Sequence, residues 1–297
     1  MGNSVRDIAM RLPGPFVITR VVDLEGPFRS PQFLMPDATL EAFAATRTAR
    51  DPRFYDAATN ELLFSFHSLI VQTPRHRILV DTCIGNDKPR PSLPEWHLRK
   101  GSYLADLAAA GLAAESITHV FCTHLHADHV GWNTKLVNGR WVPTFPNAKY
   151  VMHRKEVEHF EHIRRTSNEA ANHRSWDDSV QPILDAGQAL LVDGDHEIEP
   201  GVRLKCLPGH TPGNCALCLD DGKQKAYLIG DTIHHPVQIE RPNWSSNFCA
   251  DKAHSAKTRA GFIADVADTG AWIIPAHFAP PSAVQIVGEA NGFWYRT

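Results

Sequence analysis

The chain has 297 residues, of which 43% are hydrophobic and 21% are charged. Its formal net charge of -3 provides no large positive field for a nucleic-acid backbone, so no nucleic-acid partner is expected. No apolar run approaches the roughly 18 residues that a membrane span needs, so no membrane is expected either. Length and composition indicate one globular domain over residues 1–297.

The predicted elements, in chain order, are mostly strands with a few peripheral helices. Strands are predicted at 16–23, 62–72, 77–81, 119–123, 150–153, 189–192, 203–207, 215–219, 226–229 and 272–274, which is read as the last strand. The Asn138-Gly139 pair predicts a hairpin within 135–144. Helices are predicted at 103–112, 155–165, 179–186 and 254–268, and loops at 85–99 and 166–178. This pattern indicates an α/β layered domain with sheets packed face to face.

The N-terminal segment lacks the continuous apolar stretch of a secretory signal, so a cytoplasmic protein is expected. Six cysteines are scattered along a chain that is long enough to need no disulfide. Cys215 and Cys218 have C-x-x-C spacing, but no second pair completes a four-cysteine zinc site, so core thiols are expected. The sequence leaves the oligomeric state open, and a homodimer is compatible with it.

The sharpest signal is a histidine-rich segment that directly follows a predicted buried strand. Its four metal-ligand types are His124, His126, Asp128 and His129. In an extended chain His124 and His126 point the same way, and a turn brings the other two to a second position. Imidazole and carboxylate groups make a good Zn²⁺ shell. Four such groups exceed the needs of one catalytic ion with an open position, so two divalent ions, Zn²⁺ foremost, are expected.

Three further residues could bind a metal, and each is the first residue of a metal-ligating type after an apolar run. They are His210 in Leu207-Pro-Gly-His, Asp231 in Leu228-Ile-Gly-Asp and His277 in Ile274-Pro-Ala-His. Singly, each is explained equally well as a turn histidine or a capping aspartate. Their repeated placement after strands favours convergence on one pocket at the strand ends.

This order of motifs resembles the metallo-β-lactamase fold superfamily, and Val80-Asp-Thr82 fits the same pattern. The resemblance runs from Phe64 to His277. It implies an αββα sandwich, with two packed mixed sheets and outer helices, and a dinuclear site at one edge. By position, the first metal would be held by His124, His126 and His210, the second by Asp128, His129 and His277, and Asp231 would bridge the two.

The chemistry that such a site implies is hydrolysis. A water held between two cations loses a proton near neutral pH and can attack a carbonyl or phosphoryl centre. Asp128 and Asp231 are the candidate catalytic residues, since Asp128 could orient that nucleophile or hand a proton to the leaving group. No G-x-S-x-G elbow points to a serine mechanism.

Four residues near these motifs are candidates for a substrate pocket, although plain packing explains them about equally well. They are Trp132, His234, Trp244 and Phe278. His234 is the strongest, because it lies three residues after Asp231. The 85–99 loop, with Trp96 and His97, is either a lid or a surface loop with one anchoring aromatic.

Ester or lactone hydrolysis of a small molecule is the preferred function. Lactonases that open acyl-homoserine lactones typically have Tyr three residues after the bridging Asp, whereas this chain has His234. The segment from Gly230 to Gln238 resembles the branch that contains methyl-parathion-type hydrolases, so organophosphate triester hydrolysis is an alternative. A glyoxalase-II-like thioesterase is another, although the basic patch usual there is reduced to Arg296 within 260–297.

A different class is also open, in which the chain is a metal-binding interaction module with a degenerate site. The seven candidate ligands are intact, which argues against degeneration. Metal content and turnover of aryl esters distinguish the two classes, because a module would be inert towards such substrates.

Overall fold

The computed structural model describes residues 10–11, 16–166 and 175–297, so most of the segment on which the expectation of a leaderless N-terminus rests lies outside it. Two compact units divide the chain: Met1–Asp23 with Phe66–Asp193, and Leu24–Ser65 with Gly194–Thr297. The division falls inside two long strands, Val17–Arg29 and Glu61–Gln72. The single domain expected over 1–297 stays a prediction.

The strands, in chain order, are β1 (Met10–Arg11), β2 (Val17–Arg29), β3 (Tyr55–Asp56), β4 (Glu61–Gln72), β5 (Arg77–Val80), β6 (His119–Phe121), β7 (Thr134–Val137), β8 (Arg140–Pro143), β9 (Lys149–His153), β10 (Ala189–Val192), β11 (Glu197–Glu199), β12 (Val202–Cys206), β13 (Cys215–Asp220), β14 (Lys225–Leu228), β15 (Trp272–Ile274), β16 (Gln285–Glu289) and β17 (Gly292–Arg296). The α-helices are α1 (Pro31–Leu34), α2 (Leu40–Ala44), α3 (Tyr103–Ala109), α4 (Ala127–Val130), α5 (Arg154–Thr166), α6 (Gln181–Asp185), α7 (Val237–Glu240) and α8 (Lys252–Val266).

The first sheet has the order β1-β2-β4-β5-β6-β9-β10, with β3 paired to β4. It is mixed, since β4 and β5 are antiparallel whereas β5, β6, β9 and β10 are parallel neighbours. Parallel strands are buried on both faces, which explains why 77–80 and 119–121 read as short apolar runs. The core of the first unit includes Ile70, Leu79, Val120 and Tyr150.

The second unit contains a separate mixed sheet with the order β11-β12-β13-β14-β15. Its strands pair in antiparallel fashion except for β14 and β15, which are parallel. α8 begins at the side-chain cap of Asp251, whose carboxylate accepts a hydrogen bond from the His254 amide at 2.9 Å. Its buried Phe262 and Ile263 pack into the core of this unit.

The predicted α/β class with mixed sheets is confirmed, and most predicted strands lie within a few residues of their expected bounds. The hairpin at Asn138-Gly139 is confirmed, and both residues have the positive φ, 50° and 77°, that its tight turn requires. Among the described residues, no helix combines the length and apolarity that crossing a bilayer demands.

Two predictions about loops and ends were wrong. The strand at 272–274 is not the last, because β16 and β17 form a hairpin whose Ile286 and Tyr295 are buried in the second core. Within the predicted loop at 166–178, residues 167–174 lie outside the described part of the chain. Residues 176–180 are helical. Trp176 and Val180 pack into the first core, and this tertiary burial outweighs the polar composition of the segment.

Candidate functional site

The histidine-rich segment of the first unit follows β6 directly. The chain bends after Phe121 and then enters the short helix α4. His124 Nε2 lies 2.9 Å from His126 Nδ1, so these two ring nitrogens face a common point, as the extended geometry of the motif predicts. His124 and His129 are almost fully buried, and burial disfavours a charged imidazole unless a negative partner is present.

Asp81, which directly follows β5, supports this segment through contacts with His129 and Thr123. Its Oδ2 lies 2.9 Å from His129 Nδ1, and both carboxylate oxygens accept hydrogen bonds from Thr123, through its amide and its hydroxyl, each at 2.8 Å. The other ring nitrogen of His129, Nε2, lies 3.6 Å from Asp128 Oδ2. The contact with Asp81 therefore fixes the ring through Nδ1 and directs Nε2 towards Asp128.

His210 lies in the loop between β12 and β13 of the second unit. Its Nδ1 is 3.4 Å from the Cys249 thiol, and its Nε2 is 3.4 Å from Asp231 Oδ2. The preceding Gly209 has φ 130°, and a Cβ there would lie 2.4 Å from the Ser255 amide nitrogen. Only glycine fits this position, so the close approach of the loop to α8 depends on it.

Asp231 and His277 meet because their strands are parallel neighbours. Leu228 and Ile274 are register partners in β14 and β15, and each candidate ligand follows three residues later. His277 Nε2 lies 3.1 Å from Asp231 Oδ1. On its outer side, His277 Nδ1 is 3.2 Å from the Ser65 carbonyl oxygen, and its ring stacks on Phe64.

His234 belongs to the same group in the second unit. Its Nε2 lies 3.2 Å from Asp231 Oδ2, and its ring centroid is 4.8 Å from that of His210. Its ring is also stacked on His277 at 6.2 Å. The prediction placed His234 near the site from its spacing alone, and the geometry places it in contact with Asp231.

Each unit thus gathers part of the predicted ligand set. The first unit brings together His124, His126, Asp128 and His129, and the second brings together His210, Asp231 and His277. Neutral imidazole and carboxylate are the donors that Zn²⁺ and similar divalent ions prefer. The outer nitrogens of His129, His210 and His277 are occupied by other protein groups, which is typical of metal-ligating histidines.

The aromatic residues proposed for a substrate pocket lie in the packed interior of their own units. Trp132 stacks on Tyr103 with centroids 5.4 Å apart, and Phe278 packs edge-on against Phe54 at 6.1 Å. Trp244 is buried, and its carbonyl accepts hydrogen bonds from Gln238 and Arg259. A pocket role for these three residues stays a prediction.

The 85–99 loop is fastened at its beginning and its end. Arg90 is buried and forms a bidentate ion pair with Asp178, and Arg99 forms an ion pair with Asp23. Lys88 is also buried, and burial lowers its pKa to about 7 even though Asp178 lies nearby. Trp96 packs against Phe66. A lid formed by this loop would therefore have to move between fixed ends.

The sequence does not reveal which residues support the candidate ligands. Asp81 stands out in the sequence only as part of Val80-Asp-Thr82, and no motif predicts a role for Cys249 or Ser65. The position of Asp81 at the carboxyl end of a strand was an available signal, because ligands of open α/β sheets gather there. The contacts of Cys249 and Ser65 depend on long-range packing and leave no local pattern.

The family model of the metallo-beta-lactamase superfamily matches residues 64–277. An N-acyl homoserine lactonase of Bacillus sp. is 28% identical over 123 residues, which is 41% of this chain and 41% of that protein. The chain therefore spans about two fifths of the length of the curated lactonases that it matches.

Two solved structures share the fold over nearly the whole chain. The hydrolase AbOPH of the beta-lactamase superfamily has a TM-score of 0.79 at 21% identity, covering 96% of this chain and 95% of its own. AidC, a dizinc quorum-quenching lactonase, has a TM-score of 0.75 at 23% identity, covering 95% of this chain and 94% of its own. The predicted resemblance and fold class are confirmed.

Proposed function

The chain belongs to the metallo-beta-lactamase superfamily, and from this membership we propose that it is a dinuclear metal-dependent hydrolase of a small-molecule ester or lactone. The observation that supports the proposal most is that each unit clusters imidazole and carboxylate groups: His210 and His277 each place Nε2 within 3.4 Å of Asp231, and His129 contacts Asp81 through Nδ1. The similarity to N-acyl homoserine lactonases favours a carbonyl ester over a phosphotriester.

The proposed ligand assignment follows the order of the motifs. One ion would be held by His124, His126 and His210, the other by Asp128, His129 and His277, and Asp231 would contribute to both. When bound, two divalent ions, for which we propose Zn²⁺, would polarise the substrate oxygen and acidify water.

The chain's own groups would then divide the remaining work. Asp128 has 15% of its side chain exposed, against 5% for Asp231, so Asp128 is better placed to exchange protons with solvent. We assign Asp128 to accept a proton from the attacking water and to pass it to the leaving oxygen. His234 would touch the substrate, and the proximity of its Nε2 to Asp231 Oδ2, at 3.2 Å, would orient the ring.

A substrate panel tests the proposal. The protein is reconstituted with Zn²⁺, its metal content is measured, and lactones (including an N-acyl homoserine lactone), thioesters, aryl esters and a phosphotriester are assayed with and without chelator. Two equivalents of metal and chelator-sensitive turnover of lactones or esters are expected. A protein that binds no metal and turns over none of these substrates would overturn the proposal.

The two alternatives within the hydrolases are outcomes of the same panel. Preference for the phosphotriester would replace carbonyl hydrolysis with organophosphate hydrolysis, and preference for thioesters would indicate a glyoxalase-II-like activity. We propose a cytoplasmic location and a small-molecule partner, and a homodimer is to be tested by sedimentation.

A further inference from the structure

Two cysteines face each other at the base of the loop that carries His210. Cys206 is the last residue of β12 and Cys215 the first of β13, and the strand register pairs them directly. Their Sγ atoms lie 3.4 Å apart. The C-x-x-C spacing pairs Cys215 with Cys218 in the sequence, but Cys206 is its neighbour in space.

The strand pairing sets the separation of their backbones. The Leu207 amide donates to the Asn214 carbonyl at 2.8 Å. Leu207 and Asn214, which are adjacent to the two cysteines, are therefore a hydrogen-bonded pair. Pair types alternate in antiparallel strands, and Cys206–Cys215 is therefore a non-hydrogen-bonded pair, with Cα atoms about 4.5 Å apart. A disulfide spans about 4.4–6.8 Å between Cα atoms, so side-chain rotation alone could join these sulfurs.

The two thiols differ in their access to solvent. Cys206 is partly exposed, whereas Cys215 is buried and its Sγ lies 3.2 Å from the Gly213 carbonyl oxygen. A solvent-borne oxidant would therefore reach Cys206 first, and Cys215 is placed to react with the product. An accessible thiol beside a resolving thiol is the usual arrangement of a redox-responsive pair.

We propose that Cys206 and Cys215 form a reversible disulfide when the protein meets a peroxide. The Cys206 thiolate attacks one peroxide oxygen, the O–O bond breaks, hydroxide leaves, and Cys206 becomes a sulfenic acid. The Cys215 sulfur then attacks the Cys206 sulfur, and the sulfenic oxygen leaves as water with the Cys215 proton. Two electrons pass from the two sulfurs to the peroxide, which is reduced to water and hydroxide.

The disulfide would close a small ring around residues 207–214. The far side of this loop is already attached, because the His210 carbonyl accepts a hydrogen bond from the Ala250 amide at 2.8 Å. Oxidation would add a covalent fastening at its base. The effect on the loop rests on the proposed function only in that His210 is a proposed metal ligand.

Peptide mapping tests the proposal. The full-length protein, as purified and after loading with Zn²⁺, is treated with hydrogen peroxide, alkylated, digested and analysed by mass spectrometry. A peptide cross-linked between Cys206 and Cys215, released by dithiothreitol, is expected. Cys206→Ser and Cys215→Ser should each abolish it, while Cys218→Ser, a control on the same strand, should retain it.

The outcomes against the proposal are equally distinct. Retention of all thiols, or accumulation of Cys206 as sulfinic acid in the wild-type protein, would overturn it. Hydrogen exchange of 207–214 should slow by at least about tenfold on oxidation, and unchanged exchange in cross-linked protein would refute the restraint of the loop. Because the cross-link is measured without substrate, failure of the hydrolase assays would not affect it.

Discussion

Asp81 Oδ2 lies 2.9 Å from His129 Nδ1, so a carboxylate directly after β5 sets the orientation of a histidine that follows β6. The Asp81 amide also donates to the Phe121 carbonyl at 2.9 Å, which fastens the end of one strand to the next. The remaining acceptor sites of the carboxylate are used by Thr123. The orientation of His129 thus depends on the packing of two neighbouring strands.

Asp81→Asn should weaken metal binding by about 10- to 100-fold, because the outer partner of a ligating histidine sets its orientation and basicity. Asp81 has φ 55°, which Asn tolerates, so the backbone should be preserved. Competition with a chromophoric chelator measures the affinity. Asp178→Asn, which alters an equally buried carboxylate paired with Arg90, is the control. An equal loss in both variants would mean that general destabilisation, not orientation of His129, is the cause.

Asp231→Asn should lower kcat/KM by more than about 100-fold and reduce the bound metal. The carboxylate lies within 3.4 Å of nitrogens from His210, His234 and His277, and an amide carries no charge to bind a cation. Metal analysis and steady-state kinetics measure the two effects. The exposed Asp265→Asn is the control and should behave as wild type. Unchanged turnover in Asp231→Asn would remove this residue from the site.

His234→Phe should change substrate preference while leaving the metal content intact. The ring contacts Asp231, but the motif order assigns the metals to other residues. The ratio of kcat/KM between lactone and aryl-ester substrates is expected to shift by at least about tenfold, as loss of one polar contact commonly does. His234→Gln keeps a hydrogen-bonding group and should shift the ratio less. Loss of metal in both variants would instead make His234 a ligand.

Acid should destabilise the fold in part through His235. Burial lowers its pKa from 6.5 to about 4, and its Nε2 donates to the Phe54 carbonyl at 2.8 Å in the neutral form. The unfolded chain binds a proton that the folded chain does not, so stability is lost as pH falls from 6.5 towards 4. The contribution is on the order of 3 kcal/mol. Urea unfolding across this range should show a smaller pH dependence in His235→Gln than in wild type, with the exposed His254→Gln unchanged from wild type. Equal slopes in all three proteins would exclude His235 as the cause.

Two glycine-to-alanine substitutions should change stability in opposite directions. A Cβ at Gly131 would lie 1.9 Å from the Ile84 carbonyl oxygen, so Gly131→Ala should cost about 1–3 kcal/mol or more. Gly261 lies inside α8 with open space around it, so Gly261→Ala should gain about 0.5–1 kcal/mol. Thermal unfolding measures both. Similar shifts in the same direction would contradict the packing described for the two sites.

The site was predictable where its residues follow strands by a fixed offset. Asp231 and His277 each lie three residues beyond a strand end, and that regularity is visible in the printed sequence. The support from Asp81 was harder to predict, because no sequence pattern shows that β5 and β6 are neighbours with Val80 opposite Phe121.

The fold was predictable where local preference and burial agree. The Asn138-Gly139 turn is an example, because the turn residues and the strands around them indicate the same hairpin. The hairpin of β16 and β17 was missed although Asn291-Gly292 lies near its turn, since the segment follows a proline-rich stretch that masks the alternation. The helical turn at 176–180 depends on burial of Trp176, which composition does not reveal.

The passage of the chain through β2 and β4 from one unit to the other has a consequence during synthesis. Residues 24–65 leave the ribosome early, yet the rest of their unit begins only at residue 194. The unit that ends at Asp193 can therefore complete its contacts first. Residues 24–65 can complete theirs only after residues 194–297 have been synthesised. A stall in translation before residue 194 would leave the apolar residues of 24–65 without the later part of their unit, and apolar surface exposed in this way promotes aggregation.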